Sequence, residues 1–529
     1  MPIVSDVISQ LASLCIQTEA PTAAEQPSLP SNLKENKRLL SEAVLEELEQ
    51  SRETILHLPS ITSVEEDHLQ AQIKVNGLTK TLLHQNDKES FYLLRKKPSS
   101  ESSYDEIRLA VVGNVDAGKS TILGVLTKGI LDDGRGLARV QLFRHKHEKE
   151  TGRTSSVGHE HLAFDAAGKA LRSGESSSGA AASVFKLINF IDLAGHERYL
   201  KTTMFGLTGF APDYAMLMIG SNAGLIGMTK EHLSLAFALN VPVLLTVTKI
   251  DMCPAGVLEE TLRQIHRVLR SSSCKRVPVV IKGIEDVLRI HRSFITERLC
   301  PIFLVSNVTG EGIGLLSSFL NLLRPYKSFS CTGEPEFEVN DHFSVPGAGT
   351  VVSGTLQKGT LRIGQQVYLG PLSNGEFMQT SVKGIQRKRV NVESLSAGQH
   401  GSLALKKIKR QTVRKGMVLL GGQHSCISNV PSKEPASGGK VAIEFEAEVL
   451  ILFHSTTLAK GYQSMLHCGP VRQTACIVEL TQPYLRTGDR SLVRFRFLKR
   501  PEFLREGARL LFREGRTKGV GRITRLFDV

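Results

Sequence analysis

The sequence lacks any run of about 18 uncharged apolar residues, the length that a membrane-spanning helix requires. Its first residues, Met1-Pro-Ile-Val-Ser-Asp6, have neither the basic flank nor the apolar core of a secretory signal. The eight cysteines include no CxxC pair, so their spacing indicates neither a disulfide framework nor a zinc site. We therefore expect a cytoplasmic protein with reduced thiols and no membrane partner.

Acidic residues are scarce over part of the chain. The net charge is +14, but residues 1–100 hold 14 Asp/Glu against 10 Lys/Arg, which leaves +18 on the remainder. Residues 379–424 carry ten Lys/Arg and a single acidic residue, Glu393, and residues 441–529 carry 15 Lys/Arg against nine Asp/Glu. A solvated surface would explain one basic run alone, whereas two such regions favour a polyanionic partner.

With 529 residues, the chain is too long for one hydrophobic core. Residues 1–104 combine a Pro/Ser-rich stretch with a helical leucine pattern over 33–58, and we expect a helical or partly disordered extension there. From 105 to 328, apolar strand-like runs alternate with helix-like stretches, which is typical of an α/β domain with an open parallel sheet and helices on both faces. Residues 165–183 are predicted to form a flexible interruption within it.

Short alternating segments separated by glycines replace the helical period after residue 328. They are typical of antiparallel β-barrels or sandwiches. A Pro/Ser/Gly stretch, 428–439, separates two such units, which we place at 334–427 and 440–529.

A phosphate-binding loop is predicted where Gly113-Asn-Val-Asp-Ala-Gly-Lys-Ser120 follows one strand and opens a helix. In such a loop, main-chain N–H groups converge on phosphate, Lys119 supplies a cation, and Ser120 offers a hydroxyl to Mg²⁺. The residues assigned to this loop are Gly113, Asn114, Val115, Asp116, Ala117, Gly118, Lys119, Ser120 and Thr121.

Base selection is predicted at Thr248-Lys-Ile-Asp251, which ends a buried strand. The Asp251 carboxylate can accept from both N1–H and the 2-amino group of guanine, a donor pair that adenine lacks. Most GTPases have Asn in place of Thr248, so an amide that helps to bind the base and brace the loop is absent. The residues assigned to the base are Thr248, Lys249, Ile250, Asp251, Ser306, Asn307 and Val308.

A third motif, Asp192-Leu-Ala-Gly195, also ends a strand and precedes a helix. Asp192 is placed to hold a water on Mg²⁺, and the Gly195 N–H to face the γ-phosphate. His196 follows directly and is placed to orient the attacking water, the alternative being an ordinary surface histidine. The assigned γ-phosphate residues are Asp192, Leu193, Ala194 and Gly195.

These motifs in this order, followed by two β units, resemble the translational GTPases of the elongation factor Tu and elongation factor 1A type. Three further segments, 142–148, 152–156 and 512–518, resemble a narrower branch, that of GTP-binding proteins 1 and 2. The resemblance covers residues 105–529. It implies an α/β P-loop GTPase domain followed by two antiparallel β-barrel domains. The GTPase domain is expected to bind GTP and GDP with Mg²⁺.

The resemblance also assigns roles. It implies that His196 is catalytic, that Asp116 helps to hold a monovalent cation, and that Val115 belongs to an apolar gate beside the histidine. Switch I is assigned to Gly152, Arg153, Thr154, Ser155 and Ser156. Alignment on Arg153 makes Ser156 its Mg²⁺ ligand, with Thr154 as the alternative.

The partners that the resemblance implies are aminoacyl-tRNA and the ribosome, and the basic excess suits RNA phosphates. The alternative is a GTP-regulated adaptor in messenger RNA surveillance or decay, linked to the exosome, whose β domains bind proteins of the decay machinery. An ordinary P-loop ATPase is opposed by Asp251.

Overall fold

The computed structural model describes residues 40, 42–59, 63–96, 104–143, 148, 154–172, 184–271, 274–296, 298–388, 390–422, 439–514 and 517–527. Within these ranges no helix is both long enough and apolar enough to cross a bilayer. The six cysteines that fall in them are all free thiols.

A small α/β unit precedes the P-loop. Its elements are α1 (Glu42–Ser51), β1 (Glu53–Pro59), α2 (Ser63–Val75), β2 (Leu78–Gln85) and β3 (Glu89–Lys96). The strands form an antiparallel sheet in the order β1-β3-β2. The helical pattern predicted over 33–58 holds for α1, but its end is strand β1, in which Leu56 and Leu58 are buried two residues apart. The sheet was not predicted, because leucines at this spacing fit either period.

The small unit is joined to the α/β domain by a buried ion cluster. Glu53 accepts from Arg95 at 2.9 Å and from Lys186 of the α/β domain at 2.5 Å, and all three side chains are almost fully buried. Both cations also donate to Asn321, Arg95 to its Oδ1 and Lys186 to its carbonyl oxygen. This unit is therefore packed firmly on the α/β domain.

The α/β domain contains an eight-stranded sheet in the order β10-β11-β9-β8-β4-β7-β5-β6. The strands are β4 (Asp105–Gly113), β5 (Gly158–Asp165), β6 (Ala170–Leu171), β7 (Val184–Asp192), β8 (Tyr214–Gly220), β9 (Val243–Thr248), β10 (Val277–Val280) and β11 (Leu299–Leu304). The helices are α3 (Lys119–Lys128), α4 (Leu137–Val140), α5 (Leu200–Gly209), α6 (Gly227–Ala238), α7 (Ala255–Arg270), α8 (Ile284–Thr296) and α9 (Ile313–Leu322). Helices α3, α8 and α9 pack on one face and α5, α6 and α7 on the other, as predicted.

One edge of this sheet differs from the prediction. Strand β5 pairs antiparallel with β7, with Gly158 opposite Asp192, and β6 extends the same edge. The predicted flexible interruption, 165–183, therefore begins with an ordered edge, while residues 173–183 lie outside the described residues. Strand β5 buries only Leu162 and Phe164, two residues apart, and its sequence gives no long apolar run.

The first barrel contains β12 (Glu336–Val345), β13 (Gly349–Lys358), β15 (Gln366–Gly370), β16 (Met378–Arg387), β19 (His400–Leu405) and β20 (Val418–Leu420). The antiparallel ring β12-β13-β19-β16-β15-β20 closes when β20 pairs with β12. Strand β17 (Val390–Val392) extends β16, and β14 (Thr360–Arg362) pairs with β18 (Ser394–Ser396).

The second barrel is a closed antiparallel ring in the order β22-β25-β24-β23-β27-β28. Its strands are β22 (Glu444–Phe453), β23 (Gln463–Cys468), β24 (Val471–Leu480), β25 (Arg490–Phe497), β27 (Arg509–Glu514) and β28 (Thr517–Leu526), with β21 (Lys440–Ala442) and β26 (Glu502–Leu504) paired beside it. Both predicted β units are thus closed six-stranded barrels.

The three large domains contact one another through different chemistry. Leu450 and Leu511 of the second barrel belong to a core cluster of the α/β domain, and Phe503 joins the two barrels through Val418. The first barrel meets the α/β domain mainly through charge, because Arg387 pairs with the buried Glu106 at 2.9 Å.

Candidate nucleotide site

The predicted phosphate loop lies between the end of β4 and the start of α3. Gly118 precedes α3 and has no side chain to cap it, so the first helical turn keeps N–H groups that can bind an anion. The buried Lys119 donates from Nζ to the carbonyl oxygens of Asn114, at 2.6 Å, and of Gly113, at 3.3 Å. Burial lowers the pKa of Lys119 to about 8, although Asp192 and Asp116 oppose that shift.

Three oxygen-bearing side chains meet at the base of this loop. Ser120 Oγ donates to Asp192 Oδ2 at 2.7 Å, and Thr154 Oγ1 lies 2.8 Å from Ser120 Oγ and 3.3 Å from Asp192 Oδ2. Asp192 Oδ1 is buried without a hydrogen-bond partner among the described residues. Burial raises the pKa of Asp192 above its ordinary value, despite hydrogen bonds from Ser120 and Thr154 and the charge of Lys119. Hard oxygen ligands of this kind fit Mg²⁺.

The structure places Thr154, rather than Ser156, at this oxygen cluster. The carboxylate of the buried Glu148 accepts from the Ser156 hydroxyl at 3.2 Å and from the Ser155 hydroxyl at 2.9 Å, and it also accepts from both backbone N–H groups. Glu148 therefore holds Ser156 away from Asp192. Of the two hydroxyls that the sequence left open for Mg²⁺, the geometry therefore favours Thr154 over the preferred Ser156. Gly152 and Arg153 lie outside the described residues.

Gly195 and His196 complete the phosphate side of the pocket. A β-carbon on Gly195 would lie 2.7 Å from the backbone of Asn114, so only glycine allows this close approach to the loop. His196 is exposed, lines the same pocket as Val115 and Thr154, and accepts from the Arg198 N–H through Nδ1 at 3.1 Å. Because Nδ1 accepts, Nε2 carries the proton of the neutral ring.

The base-recognition residues surround the other side of the loop. Thr248 Oγ1 donates to Ala117 O at 3.1 Å, so the threonine hydroxyl retains the brace whose loss we expected from the missing asparagine. Asn307 Nδ2 lies beside Gly118 and Thr248, and its Oδ1 is buried with no partner among the described residues. Asp251 is exposed at the start of the loop after β9, where it is accessible to a base.

One residue of the pocket could not be found from the sequence. Arg139, from the short helix α4, lines the phosphate pocket together with Lys119, Ser120, Thr154 and His196. It belongs to none of the motifs, and no spacing rule marks a loop arginine as a ligand.

Comparisons with known proteins agree with this geometry. The elongation factor Tu GTP binding domain family matches residues 105–326, and the elongation factor Tu domain 2 family matches residues 349–420. The chain is 53% identical to GTP-binding protein 1 of Xenopus laevis over 444 residues, which are 83% of this chain and 66% of that protein. It is 45% identical to human GTP-binding protein 2 over 82% of this chain and 71% of that protein.

Among solved structures, a bacterial selenocysteine-specific elongation factor, EF-Sec, matches with a TM-score of 0.56 and 21% identity. The match covers 79% of this chain and 58% of that one, and shows the fold alone.

The closed barrels, the phosphate loop and the guanine motif define a P-loop GTPase of the elongation factor Tu type. Within that class, the chain belongs to the family of GTP-binding proteins 1 and 2.

Proposed function

We propose that the protein is a GTP-hydrolysing switch that binds aminoacyl-tRNA and acts with the ribosome. The three-domain arrangement supports this role, since an elongation factor shares its fold. The single observation that favours an RNA partner is an exposed basic cluster on the first barrel, Lys406, Lys407, Lys409 and Arg410.

In the proposed reaction, the loop N–H groups and Lys119 hold the phosphates, and Ser120, Thr154 and Asp192 hold Mg²⁺ directly or through water. Bound Mg²⁺ neutralises charge on the β and γ oxygens. Water attacks the γ-phosphorus, the bond to the bridging oxygen breaks, GDP leaves, and the proton of the water ends on phosphate. His196 Nε2–H donates to the attacking water and so orients it without accepting its proton.

The same residues couple the nucleotide to the rest of the molecule. Thr154 lies just before β5, and β5 pairs along its length with β7, which ends at Asp192. The loops that carry Thr154 and Asp192, which meet the γ-phosphate in this proposal, are therefore connected through one pair of hydrogen-bonded strands. Loss of that phosphate would release both loops, and their release would move the edge of the sheet.

Not all of the basic residues are available to RNA. Arg387 and Lys388, which belong to the basic run predicted to bind a polyanion, are instead paired with Glu106 inside the molecule. In the second barrel, Arg490 pairs with Glu448, and Arg494 with Glu444.

The exposed basic cluster follows β19. None of its four side chains pairs with a carboxylate among the described residues. Lys406 and Lys407 line a surface cleft together with Thr350 and Lys383, and Lys409 and Arg410 follow them directly in the chain. Four exposed cations, two of them on the cleft, suit a phosphate backbone.

Titration of fluorescent aminoacyl-tRNA, deacylated tRNA and messenger RNA at several salt concentrations tests the proposal. We expect the GTP form to prefer aminoacyl-tRNA, and Ala at the four positions of the basic cluster to reduce the slope of log K against log salt by about 0.7 to 0.9 for each phosphate that the variant no longer binds. Replacing the paired Arg490 and Arg494 by Ala is the matched control, and it should leave the slope unchanged. Equal affinity for both tRNAs in both nucleotide states would favour the adaptor role instead.

A further inference from the structure

Arg139 is carried by a rigid loop between α3 and switch I. The Asp132 carboxylate accepts from the N–H groups of Gly134, Gly136 and Ala138 at 3.0–3.2 Å. The neighbouring Asp133 accepts from Arg135 at 2.8 Å and from Leu137 at 3.2 Å. Two adjacent carboxylates thus fix the backbone on which Arg139 stands, and they leave the arginine side chain free of this network.

This loop is fastened to the nucleotide site at two points. Helix α4 packs closely on α3, since a β-carbon on Gly124 would lie 2.7 Å from the carbonyl carbon of Ala138. The Asp132 N–H donates to the carbonyl oxygen of Asn307, in the base-recognition loop, at 2.9 Å. The backbone of Arg139 is therefore held in place relative to both the phosphate loop and the base site.

The guanidinium of Arg139 lies across Gly136 and lines the phosphate pocket. Gly136 has φ 103°, and a β-carbon there would lie 2.9 Å from Arg139 Cζ, so glycine makes room for this orientation. The side chain is half-buried, and no carboxylate pairs with it among the described residues. Thr154, Gly195 and His196, from the two segments predicted to meet the γ-phosphate, line the same pocket.

We propose that Arg139 contacts the γ-phosphate oxygens and stabilises the charge that develops on them when the bond to the bridging oxygen breaks. A guanidinium supplied by the chain itself would complement Lys119, which lies under the loop and is bonded to its carbonyl oxygens. The inference rests on the hydrolysis step of the proposed function and is independent of which RNA is bound.

Single-turnover GTP hydrolysis by the full chain, without ribosomes, tests this role. We expect Arg139→Ala to slow hydrolysis at least about 10²-fold, while the affinity for GDP changes less than about threefold, because GDP has no γ-phosphate. Arg139→Lys should recover part of the rate, since it keeps the charge and loses the planar fork. Arg135→Ala, an exposed arginine of the same loop, should match the unmodified protein.

The outcomes separate the possible explanations. An unchanged rate in Arg139→Ala would refute the catalytic role. GDP and GTP affinities that fall together, with an unchanged rate for bound GTP, would make Arg139 a general phosphate ligand and would also overturn it. If Arg139→Ala does not fold, as judged by GDP binding and thermal unfolding, the uncharged Arg139→Gln takes its place, and an unchanged rate at saturating GTP in that variant would refute the role. An unmodified protein that hydrolyses no GTP would contradict the proposed function itself.

Discussion

At the scale of the residue, base recognition depends on a small set of side chains at the end of β9. The Thr248 hydroxyl donates to the carbonyl oxygen of Ala117. A threonine at this position can therefore still brace the phosphate loop. Asp251 is exposed near it, and we expect its carboxylate to distinguish guanine from adenine. On this account the motif has two tasks: Thr248 holds the phosphate loop, and Asp251 is predicted to select the base.

Asp251→Asn should weaken GTP binding at least about 10²-fold, because two hydrogen bonds to a charged acceptor disappear, each contributing about 1.5 to 3 kcal/mol. The variant should gain affinity for xanthosine triphosphate, because the 2-oxo group of that base accepts a hydrogen bond from the new amide. Equilibrium titration with both nucleotides measures this exchange. Glu259→Gln, an exposed change on α7, is the control, and unaltered GTP affinity in Asp251→Asn would contradict the assignment.

We expect His196 to act in hydrolysis rather than in nucleotide binding, since it is exposed at the rim of the pocket and is hydrogen-bonded only to the local backbone among the described residues. His196→Ala should slow hydrolysis about 10²-fold or more and leave GDP affinity nearly unchanged. Stopped-flow phosphate release, with and without ribosomes, measures the first effect. Glu197→Ala provides the neighbouring control, and an affinity that falls in parallel with the rate would show a structural role.

At the scale of the element, the parallel strands were predictable because their apolar runs are long and end in recognisable motifs. The edge strand β5 and the strand β1 were not, because neither contains a long apolar run. The P-loop, Asp192 and Asp251 could be placed from spacing alone. The preference for Thr154 over Ser156 at the oxygen cluster could not be predicted. It depends on Glu148, whose carboxylate reaches switch I only in the folded chain.

Strand β1 also carries the carboxylate that attaches the small N-terminal unit. Glu53→Gln should lower the free energy of unfolding by about 3 to 5 kcal/mol, because Arg95 and Lys186 would remain buried without an opposite charge. Urea denaturation followed by hydrogen exchange in 42–96 would locate the loss. Glu49→Gln, on the exposed face of α1, should have little effect, and equal stability of the two variants would mean that the cluster adds little.

At the scale of the whole molecule, the contacts between domains are chemically unequal. None of the hydrophobic clusters formed by the described residues has members from both the α/β domain and the first barrel. Their contact centres instead on Glu106 and its partners Arg387 and Lys388, with His161 and His400 nearby. Burial lowers the pKa of both histidines to about 3, so they are neutral at physiological pH.

Glu106 gives this contact a defined pH dependence. Burial alone would raise its pKa, but Lys388 and Arg387 outweigh burial and lower the pKa from 4.5 to about 2. A depressed carboxyl pKa stabilises the folded state above pH 4.5, and that stabilisation disappears as the pH falls toward 2. The free energy of unfolding of the unmodified protein should therefore be higher than that of Glu106→Gln by about 3 kcal/mol at pH 7, and this difference should shrink below pH 4.5. Urea titrations across this range measure it, with Glu393→Gln as an exposed control; a pH-independent difference would contradict the account.

The polar character of this contact has a consequence for handling and turnover of the protein. When two apolar surfaces separate, the apolar area that they expose promotes aggregation. Glu106, Arg387 and Lys388, by contrast, can each be solvated if the contact between them is broken. Opening of the contact at Glu106 would therefore expose charged side chains to water, and not an apolar surface. A charged interface can be separated repeatedly in a crowded cell, whereas separation of an apolar interface would promote aggregation.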